Sequence, residues 1–471
     1  MTKFRIDEAR MANPSAFKDI AFALSECVRL QRLMEANPDQ FFKTATTKRD
    51  ALYTITLPSN QGLLICGREA EDRLIRLAST ALSASPYRNR MKTEHLLRHL
   101  KIELGKLFAS ETVLLTQGNA QKAVNEAIRV ASRECVDRTH FVPCRLLYVT
   151  DPPMFRIGQV QFHSYKHFQG RMDDLLSRYT SSHSAETALS LANAKVTHLR
   201  DYYQAFNWIA EVTVTGCAPN ISFERALLAV ETSVNFLRAL FGSHPTRRMT
   251  VSGPPLPHDD RGHVCLNANG RVELSRSSSA TSAVAFDKGW ADMLYDPSSA
   301  TFLEAATRLT EVICATDRNA PVALRLIDSL KWFGDSTADQ SSASKVIKAV
   351  TAIENLVLTG ERDGLAELVS GRTAALRCSF GLNSDFTQAK VQTKRYYDLR
   401  SRLAHGALSP LSPVVLEQCW PCVQFAGETI GAALSYFSTA EVILTDMSSS
   451  RLASIFNALV ESQSGCHLGG E

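Results

Sequence analysis

The stretch FTQAKVQTKRYYDLRSRLAHG, residues 386–406, decides how the C-terminal part of this chain is expected to fold. Its pattern is helix-like up to His405, and Gly406 follows directly. A glycine at this position suits the left-handed residue with which many helices end. We therefore expect a helix that stops at His405 and holds this histidine beside a loop.

The neighbouring stretches predict more helices, from about residue 300 to the C-terminus. In SASKVIKAVTAIENLVL (342–358) one helix face carries five apolar side chains, Val346, Ile347, Val350, Ile353 and Leu356. RDGLAELVSGRTAAL (362–376) and VLEQCWPCVQFAGETIGAALSYFS (415–438) predict two further helices. Four or more helices joined by short links indicate an antiparallel bundle over residues 300–471.

The rest of the chain makes the predicted fold class α+β, mostly α. Residues 1–168 are expected to form a mixed α/β region of unknown role, with a β-hairpin at 52–67 and helices between 69 and 136. Residues 169–299 are expected to be helical, with an exposed loop and a second hairpin at 264–276.

Length and composition exclude several classes of protein. A chain of 471 residues should split into roughly two to four domains. The net charge of +4 is too small for strong global attraction to nucleic acid, so any such binding needs a local patch. There is no apolar run long enough for a membrane span and no secretory signal, and eleven scattered cysteines suit reduced thiols. We therefore expect a cytoplasmic protein without membrane contact.

An arginine five residues before a histidine occurs three times in this sequence. The pairs are Arg90 with His95, Arg178 with His183, and Arg400 with His405. This spacing alone therefore identifies no site. The third copy stands out because the segment from 377 to 405 carries six basic side chains against two acidic ones. Such a segment favours the binding of phosphate groups. However, the helix dipole also stabilises a histidine at a helix end that has no catalytic role.

Other groups of reactive residues are weaker candidates. His95 and His99 are four residues apart in a predicted helix, but the glutamate of a zinc-protease HExxH motif is absent. A second group, in a predicted loop, contains His258, Asp259, Asp260 and His263. The aromatic cluster DYYQAFNW (201–208) is either core or a base-stacking surface. No metal site is predicted from these patterns.

Residues 325–440 resemble the HEPN domains, specifically the ApeA-like branch found in bacterial defence proteins. The resemblance lies in four segments: WFGDS (332–336), AIENLVL (352–358), GRTAALR (371–377) and above all YYDLRSRLAHG (396–406). Weaker similarity extends to FRIGQVQF (155–162) and ALLAVETSVNFLRAL (226–240). The resemblance implies a bundle of four or five helices that dimerises, so that two Arg-x4-His motifs face one cleft.

The resemblance also implies roles for individual residues. Arg400 and His405 would be the catalytic pair, supported by Ser401 and Tyr397 of the same motif. Glu354 and Arg372 lie in matching helices and would shape the cleft. Arg402 is assigned a supporting role from its charge alone. The basic residues that would hold RNA are Lys390, Lys394 and Arg395.

Many proteins with such domains are metal-independent RNA endonucleases. RNA can be cut by its own 2′-hydroxyl, with a histidine moving protons and an arginine holding the phosphate. The resemblance therefore implies a homodimeric toxic effector that cuts RNA, with tRNA as one candidate substrate, after a phage-derived or cellular trigger, and that needs no cofactor. The alternative is a non-catalytic HEPN module that binds a partner protein or a nucleotide.

Overall fold

The computed structural model describes residues 14–39, 41, 52–110, 115–253, 258–266, 272–280, 289–315 and 319–465. The chain divides into two compact units, Met1–Arg138 with Val214–Glu224, and Thr139–Thr213 with Arg225–Glu471. These bounds differ from the predicted ranges 1–168, 169–299 and 300–471. The second unit groups residues 139–213, which contain most of the strands of one sheet, with the C-terminal helices, and sequence order does not reveal this grouping.

The first unit combines helices with one short hairpin. Its elements are α1 (Pro14–Ala36), β1 (Tyr53–Thr56), β2 (Leu63–Cys66), α2 (Arg68–Ser83), α3 (Thr93–Ala109) and α4 (Gln117–Ser132). β1 and β2 pair antiparallel, with Tyr53 opposite Cys66, which confirms the hairpin predicted at 52–67. Leu24, Leu74, Leu100 and Leu104 are fully or almost fully buried in the shared core.

Gly105 allows α3 to approach β1 very closely. A Cβ atom at this position would lie 2.2 Å from the carbonyl oxygen of Thr56, which is a backbone atom and cannot swing aside. Gly118, at the start of α4 in the same unit, offers ordinary space, since a Cβ there would meet nothing closer than 3.8 Å. Only the first glycine is therefore required by packing.

Replacing Gly105 by alanine is expected to lower the free energy of unfolding by about 1–3 kcal/mol, the usual cost of overpacking a core. Thermal and urea unfolding would measure this loss. The matched variant Gly118→Ala should leave stability unchanged or raise it slightly, because alanine favours helix over glycine. Equal stability of the two variants would contradict the close approach.

The second unit contains a five-stranded sheet in the order β4-β5-β6-β3-β7. The strands are β3 (Val136–Arg145), β4 (Met154–Ile157), β5 (Val160–Ser164), β6 (Trp208–Cys217) and β7 (Thr250–Val251), with helices α5 (Tyr165–Ser181) and α6 (Glu186–Gln204) between β5 and β6. β4 pairs antiparallel with β5, β5 with β6, and β3 with β7. β3 and β6 are the strands along which the chain passes from one unit to the other.

β6 corrects the prediction that residues 169–299 are helical apart from a loop and the hairpin at 264–276. Val212 and Val214 are buried whereas Thr213 and Thr215 are exposed, which is the alternation of a strand. Trp208, at the start of β6, is fully buried and its indole N–H donates to the carbonyl of Leu147 at 2.8 Å. Phe206 is also buried. This aromatic cluster therefore contributes to the core, which is one of the two roles that the sequence left open.

A second hairpin follows the helices α7 (Pro219–Phe241) and α8 (Ser243–Thr246). Strands β8 (His258–Leu266) and β9 (Val272–Ala280) pair antiparallel, which confirms the hairpin predicted at 264–276 and lengthens it. Asn269 and Gly270, which stand between the two strands in the sequence, lie outside the described residues. His258, Asp259, Asp260 and His263 belong to β8, so they are strand residues and not loop residues as predicted.

From residue 289 onward the described part of the second unit is mainly helical, as predicted for residues from about 300 onward. The helices are α9 (Trp290–Tyr295), α10 (Ala300–Cys314), α11 (Pro321–Ala338), α12 (Ser342–Val357), α13 (Leu365–Ser379), α14 (Phe386–Ala404), α15 (Pro413–Thr439) and α16 (Ser449–Gly465). α12 packs against α11, α14 and α15, and α13 packs against α14 and α16. Four of the five apolar residues predicted to face inward from α12 are buried, and Ile347 is half-buried.

The chain as described is mostly helical with antiparallel sheets, which confirms the coarse fold class. Within the described ranges, no helix is both long enough and apolar enough to cross a membrane.

Candidate active site

α14 presents its residues to the core and to solvent in a regular pattern. Asp385 caps its N-terminus by accepting a hydrogen bond from the amide of Gln388 at 3.0 Å. The inward face carries Ala389, Thr393, Tyr396 and Leu399, all buried. The Tyr396 ring packs against Phe425 of α15, with 5.2 Å between ring centroids. This packing turns the charged residues of α14 away from the core.

The C-terminus of α14 has the geometry that the sequence predicts. Gly406 has a φ of +71°, in the left-handed region, and its amide donates to the carbonyl of Leu403 at 3.2 Å. The next amide, of Ala407, donates to the carbonyl of Arg402 at 2.8 Å. These two bonds form a Schellman motif around His405, which is the last residue before the turn. His405 is exposed, so its imidazole can reach a ligand.

Arg400 is oriented by an ion pair with Glu354 of α12. Its Nη2 lies 2.9 Å from Glu354 Oε2, and the arginine side chain is 27% exposed. Burial raises the pKa of Glu354 although Arg400 acts in the opposite direction. Burial also raises the pKa of Tyr397, and the nearby Glu354 carboxylate adds to this effect. Tyr397, Glu354 and Arg400 therefore form one electrostatic group between α12 and α14.

Arg400 and His405 are not brought together within one chain. Successive residues of an α-helix are about 100° apart around its axis. Residues five positions apart, such as Arg400 and His405, therefore leave the helix in directions that differ by about 140°. In the described part of the chain, no hydrogen bond joins the two side chains, because Arg400 is directed to Glu354. A site that uses both residues therefore needs movement of the arginine or a second copy of the chain.

The other two Arg-x4-His copies differ in exposure. His95 is 6% exposed and cannot present its ring to a large substrate. His183 is exposed, but its Nδ1 lies 2.9 Å from the carbonyl of Tyr179, and Arg178 is paired with Asp174 at 2.7 Å. The structure thus separates the third copy from the first by exposure, which the spacing in sequence could not do.

Much of the positive charge counted along residues 377–405 is neutralised in the fold. Arg377 is buried and pairs with Glu428 at 3.0 Å. Lys390 and Lys394 each lie 2.8 Å from Glu367, and their hydrogen bonds lower the pKa of that glutamate to about 2. The two lysines predicted to bind RNA are therefore paired with a surface carboxylate. A phosphate would have to compete with Glu367 for them.

A groove of about 420 Å³ lies between α14 and α15. Lys394, Arg395 and Arg402 line it, together with Asp398 and the apolar Leu399. Within the described chain, neither Arg395 nor Arg402 has an ion-pair partner. These two guanidinium groups give the groove its available positive charge.

Arg372, which the resemblance implies would shape the cleft, lies in the core and is shielded from solvent. Its side chain is 3% exposed and lies 2.7 Å from Glu361, and it donates to the carbonyl of Val357 at 2.8 Å. Its guanidinium carbon is 5.5 Å from the centre of the Phe456 ring. These contacts join α13 to α16 and to the end of α12, so Arg372 holds these helices together. Ser401, by contrast, lies half-buried on α14 near the predicted pair.

One group of potential metal ligands lies in the first unit, among the residues that the structure describes. His95 and His99 of α3 and Glu134, just after α4, place one ligand atom each within 4.8 Å of one another. The sequence pattern indicates the two histidines but not Glu134, because only the packing of α3 against α4 brings this residue close.

Comparison with models of protein families, with curated proteins and with solved structures finds no match to this chain.

Proposed function

We propose that this chain is a metal-independent RNA endonuclease in which Arg400 and His405 form the active site. The observation that carries the proposal is the contrast at α14: an exposed imidazole at a rigid helix end, and a half-buried guanidinium oriented by Glu354. The similarity of residues 396–406 to the HEPN motif of ApeA-like proteins supports the same assignment.

The reaction needs two proton transfers and charge stabilisation. The 2′-oxygen attacks phosphorus and its proton goes to one His405; the bond from phosphorus to the 5′-oxygen breaks, and a second His405 protonates that oxygen. Arg400 binds the phosphate oxygens, where negative charge grows. The products are a 2′,3′-cyclic phosphate and a 5′-hydroxyl, and DNA is not a substrate because it lacks the 2′-hydroxyl.

A homodimer explains why the two residues do not meet within one chain. If the C-terminal helices of two protomers, including α14, face each other, each Arg400 lies opposite the other protomer's motif. The dimer also supplies the second histidine that the proton transfers require. We place the enzyme in the cytoplasm, as a toxic effector of anti-phage or stress response, with the first unit sensing the trigger.

The direct test is to incubate the purified full-length chain with total cellular RNA in the presence of a chelator. Fragments that end in 2′,3′-cyclic phosphate, with DNA left intact, are the expected result. Cleavage that requires magnesium would overturn the proposal. Intact RNA together with binding of a nucleotide would favour the alternative, a non-catalytic HEPN module, which the neutralised lysines at Glu367 also suit.

Glu354 is expected to weaken RNA binding by competing for Arg400. In a His405→Ala background, which separates binding from cleavage, Glu354→Gln should tighten the Kd for RNA about twofold to fivefold, the range of a partly exposed ion pair. Fluorescence anisotropy at fixed salt would measure it. Glu461→Gln on α16 makes the same charge change at an exposed position and should have no effect. An unchanged or weaker affinity of Glu354→Gln for RNA would contradict the competition between Glu354 and RNA for Arg400.

A further inference from the structure

The histidine pair of α3 faces a carboxylate in a geometry close to that of a metal site. His95 and His99 are each 6% exposed, and their rings are in edge contact with centroids 5.1 Å apart. His95 Nε2 lies 3.5 Å from Glu134 Oε2, and His99 Nε2 lies 2.9 Å from Glu134 Oε1. In a tetrahedral zinc site with bonds of about 2.0–2.1 Å, neighbouring ligand atoms are about 3.3–3.4 Å apart. Small side-chain rotations would therefore bring the three atoms onto one ion.

One nitrogen of this group is buried without a hydrogen bond to any described residue. His95 Nε2 is buried and has no hydrogen-bond partner in the described chain, and its distance to Glu134 is too long for a good hydrogen bond. A buried polar atom without a partner costs about 1–3 kcal/mol. A cation between the ring and the carboxylate would satisfy this nitrogen.

Arg98 lies where a metal ion would bind, so the ion would have to displace it. Its Nη2 lies 3.0 and 3.1 Å from the two oxygens of Glu134 and 3.1 Å from His99 Nε2. The Arg98 side chain is 58% exposed, so it can turn into solvent at little cost. A divalent cation and this guanidinium compete for the same carboxylate, and they repel each other.

We propose that His95, His99 and Glu134 form a Zn²⁺ site that joins α3 to the end of α4, with Arg98 as a displaceable occupant. Two imidazole nitrogens and one carboxylate oxygen are a ligand set that zinc accepts, with water in the fourth position. Leu96 stands where a zinc protease has its catalytic glutamate, so the site supplies no general base. Its role is to stabilise the first unit, independently of the proposed RNA cleavage by α14.

The experiment is a titration of chelator-treated full-length protein with Zn²⁺ against a competing metal indicator. One equivalent should bind per chain with an affinity that His99→Gln or Glu134→Gln lowers at least roughly tenfold, the loss that even an outer hydrogen-bond partner of a metal ligand typically causes. Arg98→Ala should tighten binding. His198→Gln, an exposed histidine on α6, is the matched control and should bind as the wild type does.

Two further readouts keep the test decisive. Zn²⁺ should raise the Tm of the wild type but not that of Glu134→Gln, and Co²⁺ should give the visible absorption of a four-coordinate site in the wild type but not in Glu134→Gln. Equal Zn²⁺ affinity in all variants, or weaker binding by Arg98→Ala, would refute the site. If a ligand variant fails to fold, the Arg98→Ala comparison still decides. RNA cleavage in chelator should be unchanged, so the two proposals fail separately.

Discussion

Replacing His405 by alanine is expected to slow RNA cleavage by about 10²–10⁴-fold, the usual contribution of a general acid–base group. The imidazole is exposed at the Schellman turn of α14, and its removal breaks no described core contact. The Tm should therefore stay within about 1 °C of the wild type, since exposed substitutions change stability little. Single-turnover cleavage of a labelled RNA, with a thermal melt of the same preparation, measures both quantities.

The matched control is His183→Ala, since His183 is exposed and also stands five residues after an arginine. This variant should cut RNA at the wild-type rate. If it loses as much activity as His405→Ala, the spacing of the motif and not its place on α14 would matter. If His405→Ala cuts normally, the proton-transfer role of this residue is excluded.

Replacing Arg372 by alanine is expected to lower the free energy of unfolding by about 2–4 kcal/mol. Breaking a buried ion pair from one side costs about 3–5 kcal/mol, and the partial exposure of Glu361 reduces this. The change also leaves the Val357 carbonyl without its donor. Urea unfolding at pH 7 would measure the loss. Cleavage per folded molecule should remain close to that of the wild type, because Arg372 lies away from solvent.

Arg402→Ala is the control for this prediction, since Arg402 is exposed and lines the groove. It should leave stability unchanged and weaken RNA binding. A stable Arg372→Ala protein without activity would instead support the cleft role that the resemblance implies for Arg372.

The ion pair between Arg372 and Glu361 should also make stability depend on pH. Burial raises the pKa of Glu361, but the hydrogen bonds from Arg372 and Thr359 outweigh burial and lower this pKa to about 2. The stability that this carboxylate contributes is present above its unfolded pKa of 4.5 and is lost as the pH falls toward 2. Arg372→Ala should lose less stability than the wild type over this interval.

Local patterns in the sequence were enough to predict the helices that matter most. The inward face of α12 and the end of α14 at His405 follow from residues within a few positions of one another, because helix periodicity and the left-handed glycine are local properties. β6 was missed although Val212 and Val214 alternate with polar residues, since its strand pattern is short and lies between two long helices.

The charges of the candidate site could not be predicted in this way. Counting residues between 377 and 405 treats Arg377 as a surface cation, whereas the fold buries it against Glu428 of α15. The same count treats Lys390 and Lys394 as free, whereas Glu367 of α13 pairs with both. Each partner lies on another helix, so only helix packing reveals which cations remain available.

The sequence by itself determined that the C-terminal part is helical, where α14 ends, and which histidine stands at that end. Only the tertiary structure decided that Arg400 pairs with Glu354, that Arg372 is a buried structural residue, and that Glu134 meets His95 and His99. The physical reason is the range of the forces. Backbone preferences act between neighbours in the chain, whereas burial and ion pairing depend on side chains that packing brings together from distant positions.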